Sequence, residues 1–149
     1  GRMSEYIHKS HNVTVLIYHL VFPAQYRRVI FDEHLDEVLK EVCLDIEKRY
    51  QMKFLEIGTD KDHVLFLLQS VPTYNVTKIV TLIKSLTARE ILKRCPQVKK
   101  KLWGGEFWTD GYFAGTVGKH GNENTIGDYV KKQGTKYKKL YEDRQLSLF

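Results

Sequence analysis

The hydrophobic and polar positions along the chain follow two different periods, and their order predicts alternating strands and helices. Residues 13–22, "VTVLIYHLVF", are β-branched or aromatic on both faces, which is typical of a central strand. Residues 53–58 and 63–70 predict a second and a third strand, joined by the polar turn "TDKD". Residues 111–118, "GYFAGTVG", predict a fourth strand.

Two long segments instead repeat their apolar positions at helical spacing. Residues 33–50 predict an amphipathic helix, and a second helix begins after Asn75, whose side chain can cap it. Residues 95–111 predict a basic, aromatic, glycine-punctuated loop. Residues 125–133 predict a short final helix, with Thr125 and Asp128 in capping-box spacing and Gly134 at its end.

The element order β-α-β-β-α-β, followed by one more helix, predicts an α+β fold of the ferredoxin-like split βαβ type. We expect an antiparallel sheet with helices packed on it and a C-terminal helix beyond. Residues 1–2 are interpreted as a cloning remnant, residues 3–140 as one domain, and residues 141–149 as a polar tail.

Charge is unevenly distributed in this basic chain, whose net charge is +6. Residues 75–101 carry eight basic residues and one acidic residue, a net charge of +7. Such a segment suits a polyanion, although a solvated lysine-rich surface would look the same. No apolar run is long enough to span a membrane, and we expect no signal peptide. Cys43 and Cys95 are interpreted as reduced thiols, so we expect a cytoplasmic protein.

Three side chains could carry chemistry. His63 begins the third strand and shares a face with Leu65, so a metal pair at these positions would lack its second ligand. Tyr129 and Gln133 are four residues apart on the final helix and therefore lie on one face. Tyrosine can act as a nucleophile, and an amide oxygen can bind Mg²⁺ or Mn²⁺. Taken singly, each residue is more often structural.

The segments "DHVLFLLQSVP", "KIVTLIKSLTAREI", "LWGGEFWTDGYFAGTVG" and "NENTIGDYVKKQ" together resemble the single-tyrosine transposases of the HUH superfamily, which include insertion-sequence and REP-associated enzymes. The resemblance implies that His63 and Gln133 bind a catalytic Mg²⁺ or Mn²⁺ and that Tyr129 attacks DNA. The family has a second histidine where this chain has Leu65. The resemblance therefore also implies that this copy is impaired.

That family binds hairpins in single-stranded DNA at transposon ends and cleaves and rejoins strands through a 5′-phosphotyrosine intermediate. The resemblance implies a homodimer in a prokaryotic cytoplasm, associated with the nucleoid and not with a membrane. The alternative is a catalytically inactive or domesticated protein that only binds single-stranded DNA or RNA hairpins. Candidate DNA contacts are the following residues: Tyr26, Arg27, Arg28, Lys78, Lys84, Arg89 and Lys93.

Two further features have open interpretations. The aromatic residues of 103–113 could stack on exposed bases, but packing in the core or at a dimer interface is the stronger interpretation. The C-terminal "QLSLF" resembles the pentapeptide that docks bacterial proteins on the replication sliding clamp, and a tail folded over its own dimer is the alternative. Its contact residues would be Gln145, Leu146, Leu148 and Phe149.

Overall fold

Five antiparallel strands form one sheet in the order β4-β1-β3-β2-β5. The structure is a computed structural model, and it describes residues 16–27, 32–117 and 137–143. The strands are β1 (Leu16–Pro23), β2 (Met52–Thr59), β3 (His63–Ser70), β4 (Phe113–Val117) and β5 (Lys138–Glu142). The predicted α+β class and antiparallel sheet are confirmed.

Helices α1 (Glu33–Arg49) and α2 (Val76–Arg94) lie where the apolar spacing predicts them. The side chain of Asn75 accepts a hydrogen bond of 2.8 Å from the backbone N–H of Lys78, so it caps α2 as expected. Part of the predicted loop 95–111 is instead a short helix, α3 (Pro96–Leu102). Proline suits the first position of a helix, and the buried Val98 anchors this one to the core.

Alternate side chains of the sheet enter two separate apolar clusters. Val64, Phe66 and Leu68 of β3 belong to the main core, which α1 and α2 complete on one face of the sheet. Leu65 points to the other face, where it packs with Val21 of β1. Position 65 therefore lies on the face of the sheet away from the main core, and a catalytic role there would belong to that face.

The strand β5 differs from the predicted polar tail, because Tyr141 and Glu142 belong to it and pair with β2. The backbone N–H of Asp143 donates a 2.8 Å hydrogen bond to the carbonyl of Leu55, and its carboxylate lies 2.9 Å from the Lys53 ammonium. Charged sequence alone indicated a tail, whereas pairing with the edge of β2 orders these residues.

The cysteines and the membrane prediction can be compared with the described residues. Cys43 and Cys95 are buried free thiols, and burial raises the pKa of both, so neither is readily ionised. No helix among the described residues is long and apolar enough to cross a membrane. The predicted final helix with Tyr129 and Gln133, together with Arg28 and the tail from residue 145, lies outside the described residues.

Candidate functional site

The turn between β2 and β3 is built around the carboxylate of Asp60. Its Oδ1 accepts hydrogen bonds from the backbone N–H groups of Asp62, at 2.9 Å, and His63, at 2.6 Å. The backbone N–H of Asp60 in turn donates to the carbonyl of His63, at 3.0 Å. Asp60 therefore fixes the backbone from which the side chains of Asp62 and His63 project.

Asp60, Asp62 and His63 bring three possible metal ligands together. The Nδ1 atom of His63 lies 2.8 Å from Oδ1 of Asp62 and 3.5 Å from Oδ1 of Asp60. One ligand atom from each residue lies within 4.8 Å of the other two. In an extended strand, the side chains of Asp62 and His63 would point to opposite faces of the sheet. The tight turn instead brings the carboxylate of Asp62 to the imidazole of His63.

This cluster is accessible, whereas Leu65 is not. The side chains of Asp62 and His63 are 45% and 39% exposed, so a hydrated cation or a phosphate can reach them. Leu65 is fully buried, packed with Val21 and against the partly buried Tyr137. Position 65 is therefore an apolar packing position. The possible metal ligands found among the described residues are Asp60 and Asp62, in the turn before β3, and His63, at its first position.

The end of β1 joins this turn to the aromatic segment that follows α3. The backbone N–H of Ala24 donates to the carbonyl of Asp62, at 2.7 Å, and Ala24 also forms a β-bridge with Trp108. The N–H of Gln25 donates to the carbonyl of Phe107, at 2.7 Å. The acidic turn and residues 107–109 consequently lie at the same end of the sheet, on either side of β1.

Two cavities differ in their relation to this cluster. A cavity of about 20 Å³ lies beneath the turn, lined by Asp60, Asp62 and His63 among others, and it has room for about one water molecule. A group larger than water can therefore reach His63 only from the solvent side. A larger groove of about 410 Å³ lies between α1 and α2, where Arg49 and Arg89 contribute to its lining, and the cluster does not line it.

Two predicted DNA contacts are held in internal interactions. Tyr26 is 4% exposed, and its hydroxyl donates to the carboxylate of Asp32, at 3.2 Å. The ammonium of Lys84 donates to the carbonyls of Thr109, at 2.7 Å, and Gly111, at 2.9 Å. Burial lowers the pKa of Lys84, as expected for an ammonium removed from water. Both side chains are therefore engaged in interactions within the chain, and their role as DNA contacts stays a prediction.

The remaining described candidates for DNA contact are on the surface. Arg27, Lys78, Arg89 and Lys93 are all exposed. The ammonium of Lys78 lies 4.7 Å from the centre of the Tyr74 ring at the start of α2. Arg89 lines the groove between the helices instead. Their role in binding DNA stays a prediction.

The aromatic residues of 103–113 divide into two groups. Phe107 and Trp108 are each 4% exposed, and their rings pack edge to face with centres 4.7 Å apart. The indole N–H of Trp108 donates to the hydroxyl of Thr87, at 3.0 Å. Trp103, Tyr112 and Phe113 are exposed instead, by 93%, 42% and 55%. Their spacing in the sequence carries no signal that separates the two groups.

Comparison with known proteins identifies the family of this chain. The family model described as "Transposase IS200 like" matches residues 12–133. The chain is 32% identical over 124 residues to the ISDra2 transposase TnpA of Deinococcus radiodurans, covering 81% of this chain and 86% of that protein. It is 29% identical over 116 residues to the transposase for insertion sequence element IS200 of Salmonella typhimurium, covering 78% and 75%.

A solved structure supports the same relationship. A crystal structure of a candidate transposase from Deinococcus radiodurans R1 superimposes with a TM-score of 0.64 at 26% sequence identity. The superposition covers 85% of this chain and 97% of that one. The five-stranded antiparallel sheet with helices packed on it is therefore an arrangement already seen in a related protein.

Proposed function

This chain belongs to the IS200-like transposase family, and we propose that it cleaves and rejoins single-stranded DNA at hairpins near the ends of an insertion sequence. The family match over residues 12–133 supports the class of activity. The observation that supports a catalytic role at the sheet end is the cluster of Asp60, Asp62 and His63, which is partly exposed and rich in metal-binding atoms.

The donor atoms of this cluster fit a divalent cation. Carboxylate oxygens suit Mg²⁺ or Mn²⁺, and the imidazole of His63 adds a nitrogen ligand, while the side chain of Leu65 offers no ligand atom. We propose that the Nδ1 atom of His63 and a carboxylate oxygen of Asp62, which lie 2.8 Å apart, would hold this cation together. Bound here, the cation would polarise the scissile phosphate and favour departure of the 3′ oxygen. Gln133 remains the proposed further ligand.

Tyr129 is the proposed nucleophile. Its phenol oxygen forms a bond to the scissile phosphorus while the bond from phosphorus to the 3′ oxygen breaks. The phenol loses its proton and the departing 3′ oxygen gains one, so a 5′-phosphotyrosine and a free 3′-OH result. Attack by another strand's 3′-OH reverses the step and rejoins DNA, with no need for ATP.

Assembly and location follow from the same proposal. We propose a homodimer that acts on single-stranded DNA in the cytoplasm of a prokaryote, in association with the nucleoid. Docking of Gln145, Leu146, Leu148 and Phe149 on the sliding clamp stays a prediction, because these residues lie outside the described part of the chain.

A covalent-adduct assay tests this function. The protein is mixed with single-stranded DNA from the ends of its element and with Mn²⁺, and adducts are separated on a denaturing gel. We expect an adduct that requires Tyr129 and the metal, disappears in Tyr129→Phe and with EDTA, and weakens strongly in Asp62→Ala. Glu37 is an exposed acidic residue on α1, so Glu37→Ala is the matched control and should leave the amount of adduct unchanged.

The second candidate function is binding of hairpin nucleic acid without chemistry, which the buried Leu65 favours. It predicts tight hairpin binding, no adduct under any condition, and no effect of Tyr129→Phe. An adduct in Leu65→His alone would instead identify a transposase silenced by the loss of one ligand. These outcomes separate the two candidates.

A further inference from the structure

We propose that Trp103 is a base-stacking residue that binds an unpaired base of single-stranded DNA, next to a basic patch formed by Lys99, Lys100 and Lys101. This inference rests on the proposed function, because it identifies where the DNA substrate is held. It concerns residues that have no part in the candidate metal cluster.

Trp103 is in an unfavourable position for any structural role. Its side chain is 93% exposed, the highest value among the exposed large hydrophobic residues of the described chain. Its backbone is left-handed, with φ of 52°, and it is the single non-glycine residue with positive φ in residues 16–27, 32–117 and 137–143. That conformation costs about 1 kcal/mol for such a side chain, and helices usually end on glycine there. Folding alone does not explain tryptophan at this position.

The surroundings of Trp103 favour a polyanion. Lys99, Lys100 and Lys101 are exposed at the end of α3, and α3 contains no acidic residue. Phosphates can be neutralised by these lysines while a base stacks on the free face of the indole. A base in a duplex is covered on both faces, so the partner that fits is an unpaired base in a strand or hairpin.

A chain of contacts connects this patch to the acidic turn. The ammonium of Lys101 lies 5.9 Å from the ring centre of Tyr26, which stacks on Phe107. Tyr26 lies two residues after Ala24, whose backbone N–H donates a hydrogen bond to the carbonyl of Asp62. DNA bound at Trp103 would therefore lie at the end of the sheet that carries His63.

Tryptophan fluorescence gives a direct test, because the sequence contains two tryptophans and Trp108 is buried. The full chain is titrated with a single-stranded oligonucleotide that carries an imperfect hairpin. We expect the long-wavelength emission of Trp103 to be quenched, and Trp103→Phe to lose this quenching while still binding. A blunt duplex of the same stem should give little quenching.

Substitutions separate stacking from folding. Trp103→Asn should weaken binding of the hairpin oligonucleotide by roughly 5- to 150-fold. The melting temperature of the Trp103→Asn protein should equal or exceed that of the unaltered protein, because asparagine tolerates the left-handed backbone. Replacing Lys99 and Lys100 by Gln should make the negative slope of log binding affinity against log salt concentration shallower by about 1.4. Replacing Lys48 and Arg49 on α1 should leave that slope unchanged.

Several outcomes would overturn the proposal. Binding with unchanged Trp103 emission, or unchanged affinity in Trp103→Asn, contradicts stacking but leaves the proposed transposase function intact if the Tyr129 adduct still forms. A Trp103 spectrum that shifts with protein concentration in the absence of DNA would identify a protein interface instead. Failure to bind any single-stranded oligonucleotide would overturn both this inference and the proposed function.

Discussion

Leu65 on β3 lies directly opposite Val21 on β1, and the two side chains are 0% and 4% exposed. They pack together on the face of the sheet away from the main core. This pairing means that position 65, where the resemblance implies a second histidine, is an apolar packing position in this chain. It also determines what a histidine would encounter there.

Leu65→His is expected to lower the free energy of unfolding by about 1–3 kcal/mol without metal, because it buries an imidazole beside Val21. If the new imidazole and His63 share a cation, Mn²⁺ should restore part of this loss. Denaturant unfolding in EDTA and in Mn²⁺ measures both effects.

The control for this prediction is Leu68→His, which buries an imidazole in the main core on the opposite face of the same strand. It should be destabilised in EDTA and not restored by Mn²⁺. Equal recovery in both variants would show that the metal acts elsewhere.

Asp60→Ala is expected to destabilise the β2–β3 turn by about 1 kcal/mol, since Oδ1 of Asp60 accepts two backbone hydrogen bonds. Asp60→Asn keeps an oxygen at that place and should recover most of the loss. Urea unfolding in EDTA measures the stability without any contribution from metal. The prediction is wrong if the alanine and asparagine variants unfold at the same urea concentration.

Thr87→Val is expected to lower the free energy of unfolding by about 1–3 kcal/mol, because the buried indole N–H of Trp108 loses its acceptor at 3.0 Å. Ser85→Ala is the matched control on the same helix. Its hydroxyl is exposed and bonds to the carbonyl of Thr81, so removal should change stability by less than about 0.5 kcal/mol. Thermal unfolding followed by near-ultraviolet circular dichroism would report both stability and the environment of Trp108.

Lys84→Met is expected to lower stability by about 1–2 kcal/mol, because its ammonium joins α2 to the carbonyls of Thr109 and Gly111. The salt dependence of DNA binding should change little, since that ammonium is already hydrogen-bonded within the chain. Lys93→Met, on the exposed surface of the same helix, should leave stability unchanged. Unfolding measures the stability, and DNA binding at several salt concentrations measures the salt dependence. A weaker salt dependence of binding in Lys84→Met would identify Lys84 as a phosphate contact.

Glu56→Gln is expected to change how stability depends on pH. Burial is the main cause that raises the pKa of the Glu56 carboxyl above its ordinary value of 4.5, and Lys139 only partly offsets it. The folded state therefore holds this proton more tightly than the unfolded state, and stability contributed by the protonated form is lost as pH rises through the folded pKa.

Relative to the unaltered chain, Glu56→Gln should consequently gain stability as pH rises from below 4.5 towards neutrality. Urea midpoints measured across that range test the sign. Glu37→Gln, at an exposed site on α1, is the control and should run parallel to the unaltered chain. A parallel course for Glu56→Gln would contradict the raised pKa.

The strongly periodic segments were predictable because their pattern depends on neighbouring residues. The apolar spacing of α1, the Asn75 cap of α2 and the alternation of β3 each lie within a few residues of sequence. The helix α3 was missed because its short, lysine-rich segment has only Val98 buried. The strand β5 was missed because its charged residues are ordered by pairing with the edge of β2.

The fold class, the family resemblance and the absence of a histidine at position 65 could be read from the amino-acid sequence, since these depend on residue identity and local order. The neighbours that these residues meet depend on how the chain folds. The turn geometry brings Asp62 to 2.8 Å from His63, against strand parity, and packing buries Trp108 while leaving Trp103 in solvent. Such contacts depend on turns and on elements distant in the chain, so no local pattern could specify them.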